Sequence, residues 1–114
     1  MKVFIGILIS PDKSITKLIR CIRSVEDQVR KPFDFDIKVI VNESTYSTAR
    51  RVKQRLKRAG LDYEIIETEG TGLAARGHNS VLDAFLSRKE YTHLMKIDYD
   101  DFYYPFAFQM LYLI

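Results

Sequence analysis

Three carboxylates stand on four consecutive residues, Asp98-Tyr99-Asp100-Asp101, directly after the apolar run Tyr91-Thr92-His93-Leu94-Met95-Lys96-Ile97. Like charges packed this closely repel one another, which costs free energy unless a cation neutralises them. Hard divalent ions such as Mg²⁺ or Mn²⁺ prefer carboxylate oxygens and keep open positions for substrate phosphates. The tetrapeptide therefore points to a metal-assisted phosphate site; the plainer alternative is a solvated acidic turn. A second candidate is Arg76, which opens a helix after the Gly70-Thr71-Gly72 loop, where backbone donors and a guanidinium can meet an anion together. A surface arginine is the alternative there. Ser10, Pro11 and Asp12 follow the first strand, as site residues or as an ordinary strand-to-helix cap.

These residues need a frame, and the hydrophobic pattern supplies one. Val3 to Ile9 is a continuous apolar run, expected of a strand covered on both faces. Ile15, Leu18, Ile19, Ile22, Val25 and Val29 have helical spacing, with Asp12 or Ser14 as cap and Pro32 as terminator. Phe35 to Val41 reads as the second strand and Thr45 to Ala59 as the second helix, with Gly60 at its left-handed end. Leu61 to Glu67 is the third strand, Leu73 to Leu86 the third helix and Thr92 to Ile97 the fourth strand. Pro105 suits the first turn of a final helix. Alternating strands and helices predict an α/β fold with a doubly wound, mostly parallel four-stranded sheet flanked by helices. Ligands of such sheets bind beyond the carboxyl ends of the strands, which is where Asp98 to Asp101 fall.

At 114 residues the chain is expected to form one domain, residues 1–114. A content of 46% hydrophobic and 29% charged residues is globular rather than disordered. The net charge of +3 does not by itself argue for nucleic acid, and no nucleic-acid partner is expected. The basic helix holding Arg50, Arg51, Lys53, Arg55, Lys57 and Arg58 lacks interleaved aromatics for base stacking and reads as a solvated face. Cys21 is the sole cysteine, so no internal disulfide can form; a cytoplasmic location is the expectation. His78 and His93 lack zinc-ligand spacing. No segment reaches the roughly 20 apolar residues of a membrane span. The run Phe106 to Ile114 is almost wholly apolar, predicting a helix that packs on a partner chain or a second copy, or that buries in the domain's own core.

Several pieces, in order, resemble the nucleotide-sugar-binding half of family 2 glycosyltransferases, which have the GT-A fold. Ile9-Ser10-Pro11-Asp12 is similar to the family's Pro-Thr-Tyr-Asn, and Ser24-Val25-Glu26-Asp27-Gln28 to its Ser-Leu-x-x-Gln. Ser44-Thr45-Tyr46-Ser47-Thr48 resembles Ser-Thr-Asp-Gly-Thr, and Gly72-Leu73-Ala74-Ala75-Arg76 with Asn79 resembles Gly-Leu-x-x-Ala-Arg-Asn. Asp98-Tyr99-Asp100-Asp101 with Pro105 resembles Asp-x-Asp-Asp-x-x-x-Pro, the DXD motif.

The resemblance implies a nucleoside-diphosphate sugar as ligand, UDP-sugar foremost, and Mn²⁺ or Mg²⁺ as cofactor. It makes Asp100 the metal contact and Asp98 a metal or ribose contact, with Arg76 and the Ser10-Pro11-Asp12 segment bordering the nucleotide. Asp101 would hold the metal site or cap the next helix. Val41-Asn42-Glu43 replaces the family's pair of acids, leaving Asn42 to hydrogen-bond the base. The expected activity is that of an inverting transferase moving a sugar to an acceptor hydroxyl. The acceptor half and the catalytic base fall outside the motifs present here. The alternative is a non-catalytic binding or assembly module that keeps the fold without turnover.

Overall fold

In the computed structural model the described residues are 1–42, 46–68 and 74–113; the side chains of Tyr46, Ser47, residues 74–78 and residues 111–113 are not described. Four strands and four helices alternate: β1 (Lys2–Ile9), α1 (Ile15–Glu26), β2 (Asp34–Asn42), α2 (Tyr46–Arg58), β3 (Glu64–Thr68), α3 (Ala74–Leu86), β4 (His93–Asp98) and α4 (Ala107–Leu113). The sheet order is β3-β2-β1-β4 and every pairing is parallel. The chain thus winds outward from β1 to β3, then crosses back to place β4 on the other side of β1. That reversal leaves a crevice between the carboxyl ends of β1 and β4, where open α/β sheets take their ligands.

Alternation along β1 divides the core into two layers. Val3, Ile5, Ile7 and Ile9 pack with Leu18, Ile22 and Val25 of α1, Val52 and Leu56 of α2, and Phe108 of α4. Phe4 points the other way, joining Ile40, Val81 and Ala84 of α3, and Tyr91. Gly6 lies on that second face, and a methyl group there would sit 2.7 Å from Cγ1 of Val81. The glycine is what lets α3 approach the centre of the sheet closely.

The helix ends follow their capping chemistry. Ser14 Oγ accepts from the Lys17 backbone N–H, so Ser14, not Asp12, caps α1. At the end of α2, Gly60 takes φ +78°, and its N–H donates to Lys57 while Leu61 N–H donates to the Leu56 carbonyl. This paired closure is the Schellman arrangement. It uses Leu61 as part of the helix stop, so β3 begins at Glu64 rather than at Leu61. The first helix also ends early: Val29, expected on its apolar face, is exposed, and its N–H donates to the Pro105 carbonyl at 2.8 Å. Pro105 itself lies in a turn ahead of α4, not in the helix.

Candidate functional site at the β1 and β4 ends

Asp98 is the last residue of β4 and pairs in register with Leu8, one residue from the end of β1. Tyr99 N–H continues the ladder to the Leu8 carbonyl at 3.0 Å. The acidic turn thus starts where the sheet stops. Ser10, Pro11 and Asp12 leave β1 on the neighbouring strand, with Lys13 N–H closing a turn onto the Ser10 carbonyl. The Arg51 guanidinium of α2 donates to the Pro11 carbonyl at 2.9 Å, fixing that turn from the side. The three residues are thereby brought next to the acidic turn.

Within the turn the carboxylates divide their work. Asp101 Oδ2 accepts from the Asp98 backbone N–H at 3.0 Å, and Asp101 N–H donates to the Asp98 carbonyl at the same distance. Asp101 therefore closes its own loop and does not cap α4, which starts at Ala107. Asp98 lies 3.6 Å from the Lys96 ammonium and is half exposed. Asp100 is exposed. Both offer carboxylate oxygens to solvent, the donor type that suits a hard divalent ion. Among the described residues no group of three or more His, Cys, Asp or Glu side chains comes together as a metal cage.

The field of the turn reaches the groups behind it. Cys21, fully buried on α1, donates to the Asp98 carbonyl at 3.6 Å. Burial first, then the charges of Asp101, Asp100 and Asp98, push its thiol up to about 12. Burial and the Asp101 charge likewise push the Tyr103 phenol up to about 12. The thiol is inert by this measure, in keeping with a small core residue.

What holds the turn in place is a strap, residues 99–108, fastened to α1 through its backbone. Ser24 Oγ accepts from Tyr103 N–H at 3.1 Å and donates to the Cys21 carbonyl at 2.7 Å. Gln28, buried just past the helix end, donates to the Ser24 and Tyr104 carbonyls at 3.0 and 2.8 Å and accepts from Phe108 N–H at 2.9 Å. Phe108 then buries completely, in contact with the rings of Phe33, Phe35 and Tyr103. Sequence reasoning quoted Ser24 and Gln28 only as part of a resemblance and gave them no task. The signal that could have found them is a polar pair four residues apart in line with the apolar face of α1.

Asn42 ends β2, buried, its Oδ1 accepting from Thr68 Oγ1 at 3.2 Å across the β2–β3 pair. It lies two strands from Asp98, on the same carboxyl edge of the sheet. The backbone of Arg76 belongs to the first turn of α3, but its side chain lies outside the described residues, as do Glu43 to Thr45 and residues 69–73, which hold the Gly70-Thr71-Gly72 loop.

No family model matches the sequence, and no curated protein matches it. Solved structures do. TarS from S. aureus aligns over 99% of this chain with a TM-score of 0.63 at 20% identity, the match covering 19% of the TarS chain. TarS 1-349 in complex with UDP aligns over 99% with a TM-score of 0.60 at 18% identity, covering 31% of that chain. TarS 1-349 alone aligns over 90% with a TM-score of 0.55 at 18% identity, covering 28%. The chain thus spans less than a third of the length of each. The likeness shows the fold: an all-parallel four-stranded sheet flanked by helices.

Proposed function

We propose that this chain binds a nucleoside-diphosphate sugar across the carboxyl ends of β1 and β4, as the donor-binding part of an inverting glycosyltransferase. The observation that carries the reading is the position of Asp98 and Asp100 at the switch point of the sheet, in a fold shared with a protein solved with UDP. UDP is the first ligand to test.

In this reading Asp98 and Asp100 would hold Mn²⁺ or Mg²⁺, which when bound offsets the charge of a departing diphosphate. Asp101 keeps the loop in shape so that the other two carboxylates stay outward. The Ser10-Pro11-Asp12 turn, steadied by Arg51, borders the nucleoside. Asn42 would turn its side-chain NH2 to a base edge while its carbonyl oxygen serves Thr68. Arg76, at the start of α3, would meet the diphosphate with its guanidinium. Transfer to an acceptor hydroxyl requires a general base, and the acids of the turn are already assigned to metal, ribose and loop closure.

A second reading is favoured by one observation: Asp101 is consumed within the loop and no ready-made acidic cage forms among the described residues. A module that keeps the fold and binds without turnover fits it. Calorimetric titration with UDP and GDP, each with Mn²⁺ and with chelator, tests the donor site. Metal-dependent binding supports the first reading. Its absence with both nucleotides overturns that reading, and donor hydrolysis by the purified chain would exclude the second.

A further inference from the structure

The chain's cations are distributed unevenly. Helices α1 and α2 hold nine of its 18 Lys and Arg but only one of its 15 Asp and Glu. The two helices lie side by side on one face of the sheet, against the same core layer. On α2 the residues turned inward are Ala49, Val52 and Leu56, leaving Arg50, Arg51, Lys53, Arg55, Lys57 and Arg58 exposed. On α1, Lys17, Arg20 and Arg23 are exposed as well. Among the described residues no carboxylate forms an ion pair with any of the nine.

An apolar margin borders this basic face. The strap fastened to α1 by Gln28 and Ser24 presents Phe102, Tyr104 and Phe106, each more than half exposed, and Met110 follows on α4. The two features touch: the Arg20 guanidinium lies 5.5 Å from the centre of the Phe102 ring. Exposed aromatics beside a broad field of Lys and Arg have the composition of surfaces that lie in a bilayer interface, cations on headgroups and rings at the acyl boundary. No helix of the described residues is long and apolar enough to cross a membrane.

We infer that the α1–α2 face and the adjoining Phe102–Phe106 strap dock on an anionic lipid surface. Nucleic acid fits less well, because among the described side chains of α2 no aromatic on which bases would stack stands between the cations. The inference does not depend on the donor site, and its test uses no nucleotide.

The test is co-sedimentation of the chain with vesicles of equimolar phosphatidylglycerol and phosphatidylcholine, against vesicles of phosphatidylcholine alone, at low and high salt. The expected result is binding to the anionic vesicles only, weakened by salt. Replacing Lys53→Glu, Lys57→Glu and Arg58→Glu together should lower that affinity at least about tenfold. Phe102→Ser with Phe106→Ser should lower it with the salt dependence kept. Circular dichroism checks that both variants remain folded, since all five positions are exposed. Equal binding to neutral vesicles, or none to anionic ones, overturns the inference. So does a concentration-dependent dimer that the Phe102→Ser, Phe106→Ser variant abolishes without any vesicle binding, which would assign the face to a second copy. Binding of a single-stranded RNA oligomer that outcompetes vesicles and ignores the aromatic changes would assign it to nucleic acid.

Discussion

Phe108 N–H donates to Oε1 of Gln28 at 2.9 Å, across 80 residues of sequence and inside the core. The same amide group donates to Tyr104, so one side chain reads both polarities of the strap's backbone. Because the bonds of Gln28 to Phe108 N–H and to the Ser24 carbonyl are buried, removing the amide leaves a donor and an acceptor without water. Gln28→Leu should therefore cost about 1–3 kcal/mol of stability. Urea unfolding measures the loss. An unchanged midpoint would mean that the strap is held by Phe108 packing alone.

The carboxylates of the turn should separate by function. Asp100→Asn removes an exposed oxygen donor that the fold does not use, so it should abolish metal-dependent nucleotide binding with the unfolding midpoint unchanged. Asp101→Ala instead removes the acceptor for Asp98 N–H and should cost about 0.5–1.5 kcal/mol, as loss of a local cap does. Calorimetry and thermal unfolding of both variants check the division. Nucleotide affinity surviving in Asp100→Asn would remove that residue from the site.

Gly6 tests the second core layer. The added methyl of Gly6→Ala would meet Val81 at 2.7 Å and Ile40 and Phe4 at 3.1 Å, forcing α3 outward. Overpacking of this kind costs about 1–3 kcal/mol. Val81→Ala in the Gly6→Ala background should recover part of that loss in denaturant unfolding, since it removes the nearest atom.

A pH dependence follows from the amino-terminal ends of the strands. Tyr91 OH donates to Asp36 at 2.6 Å, and this bond, aided by Lys2, holds the Asp36 carboxyl below its ordinary value. Lys38 and Arg88 do the same for Glu64. A carboxyl depressed in the folded state binds fewer protons there than in the unfolded chain. Its contribution is thus present above the ordinary carboxylate range and is lost as pH falls through the depressed values. Urea midpoints should decline below about pH 4, and Asp36→Asn should flatten that decline.

Much of this frame is legible from residue patterns. The unbroken apolar run Val3 to Ile9 marks a strand buried on both faces, and the structure buries all of its seven residues except Leu8. Gly60 and Ser14 mark helix ends because each has one physical task there, positive φ or an oxygen at the cap. The errors arise where one residue serves two elements. Leu61 looks like a strand residue but closes α2 with its N–H. Val29 continues the helical spacing, yet its N–H is taken by Pro105, a partner no local pattern contains. Gln28 was illegible for the same reason, since its partners Tyr104 and Phe108 come from a strap far along the chain. The place of Asp98 to Asp101 at the carboxyl ends of the strands followed from topology; the loop-closing bond of Asp101 did not.

The position of β1 in the middle of the sheet has a kinetic consequence. One edge of β1 pairs with β2, which follows directly in the chain, while the other pairs with β4, with Lys2 meeting Thr92 at a separation of 90 residues. Closing the longer loop costs about 1 kcal/mol more chain entropy than closing the shorter one. The expected order of assembly is β1-α1-β2-α2-β3 first and β4 afterwards. Pulse-labelled hydrogen exchange during refolding should then show the amide of Tyr99 protected later than those of β2. In that order the acidic turn takes its shape only after β4 pairs, so a chain stalled before that step would have the β1–β3 layer of its core and no closed Asp98–Asp101 turn.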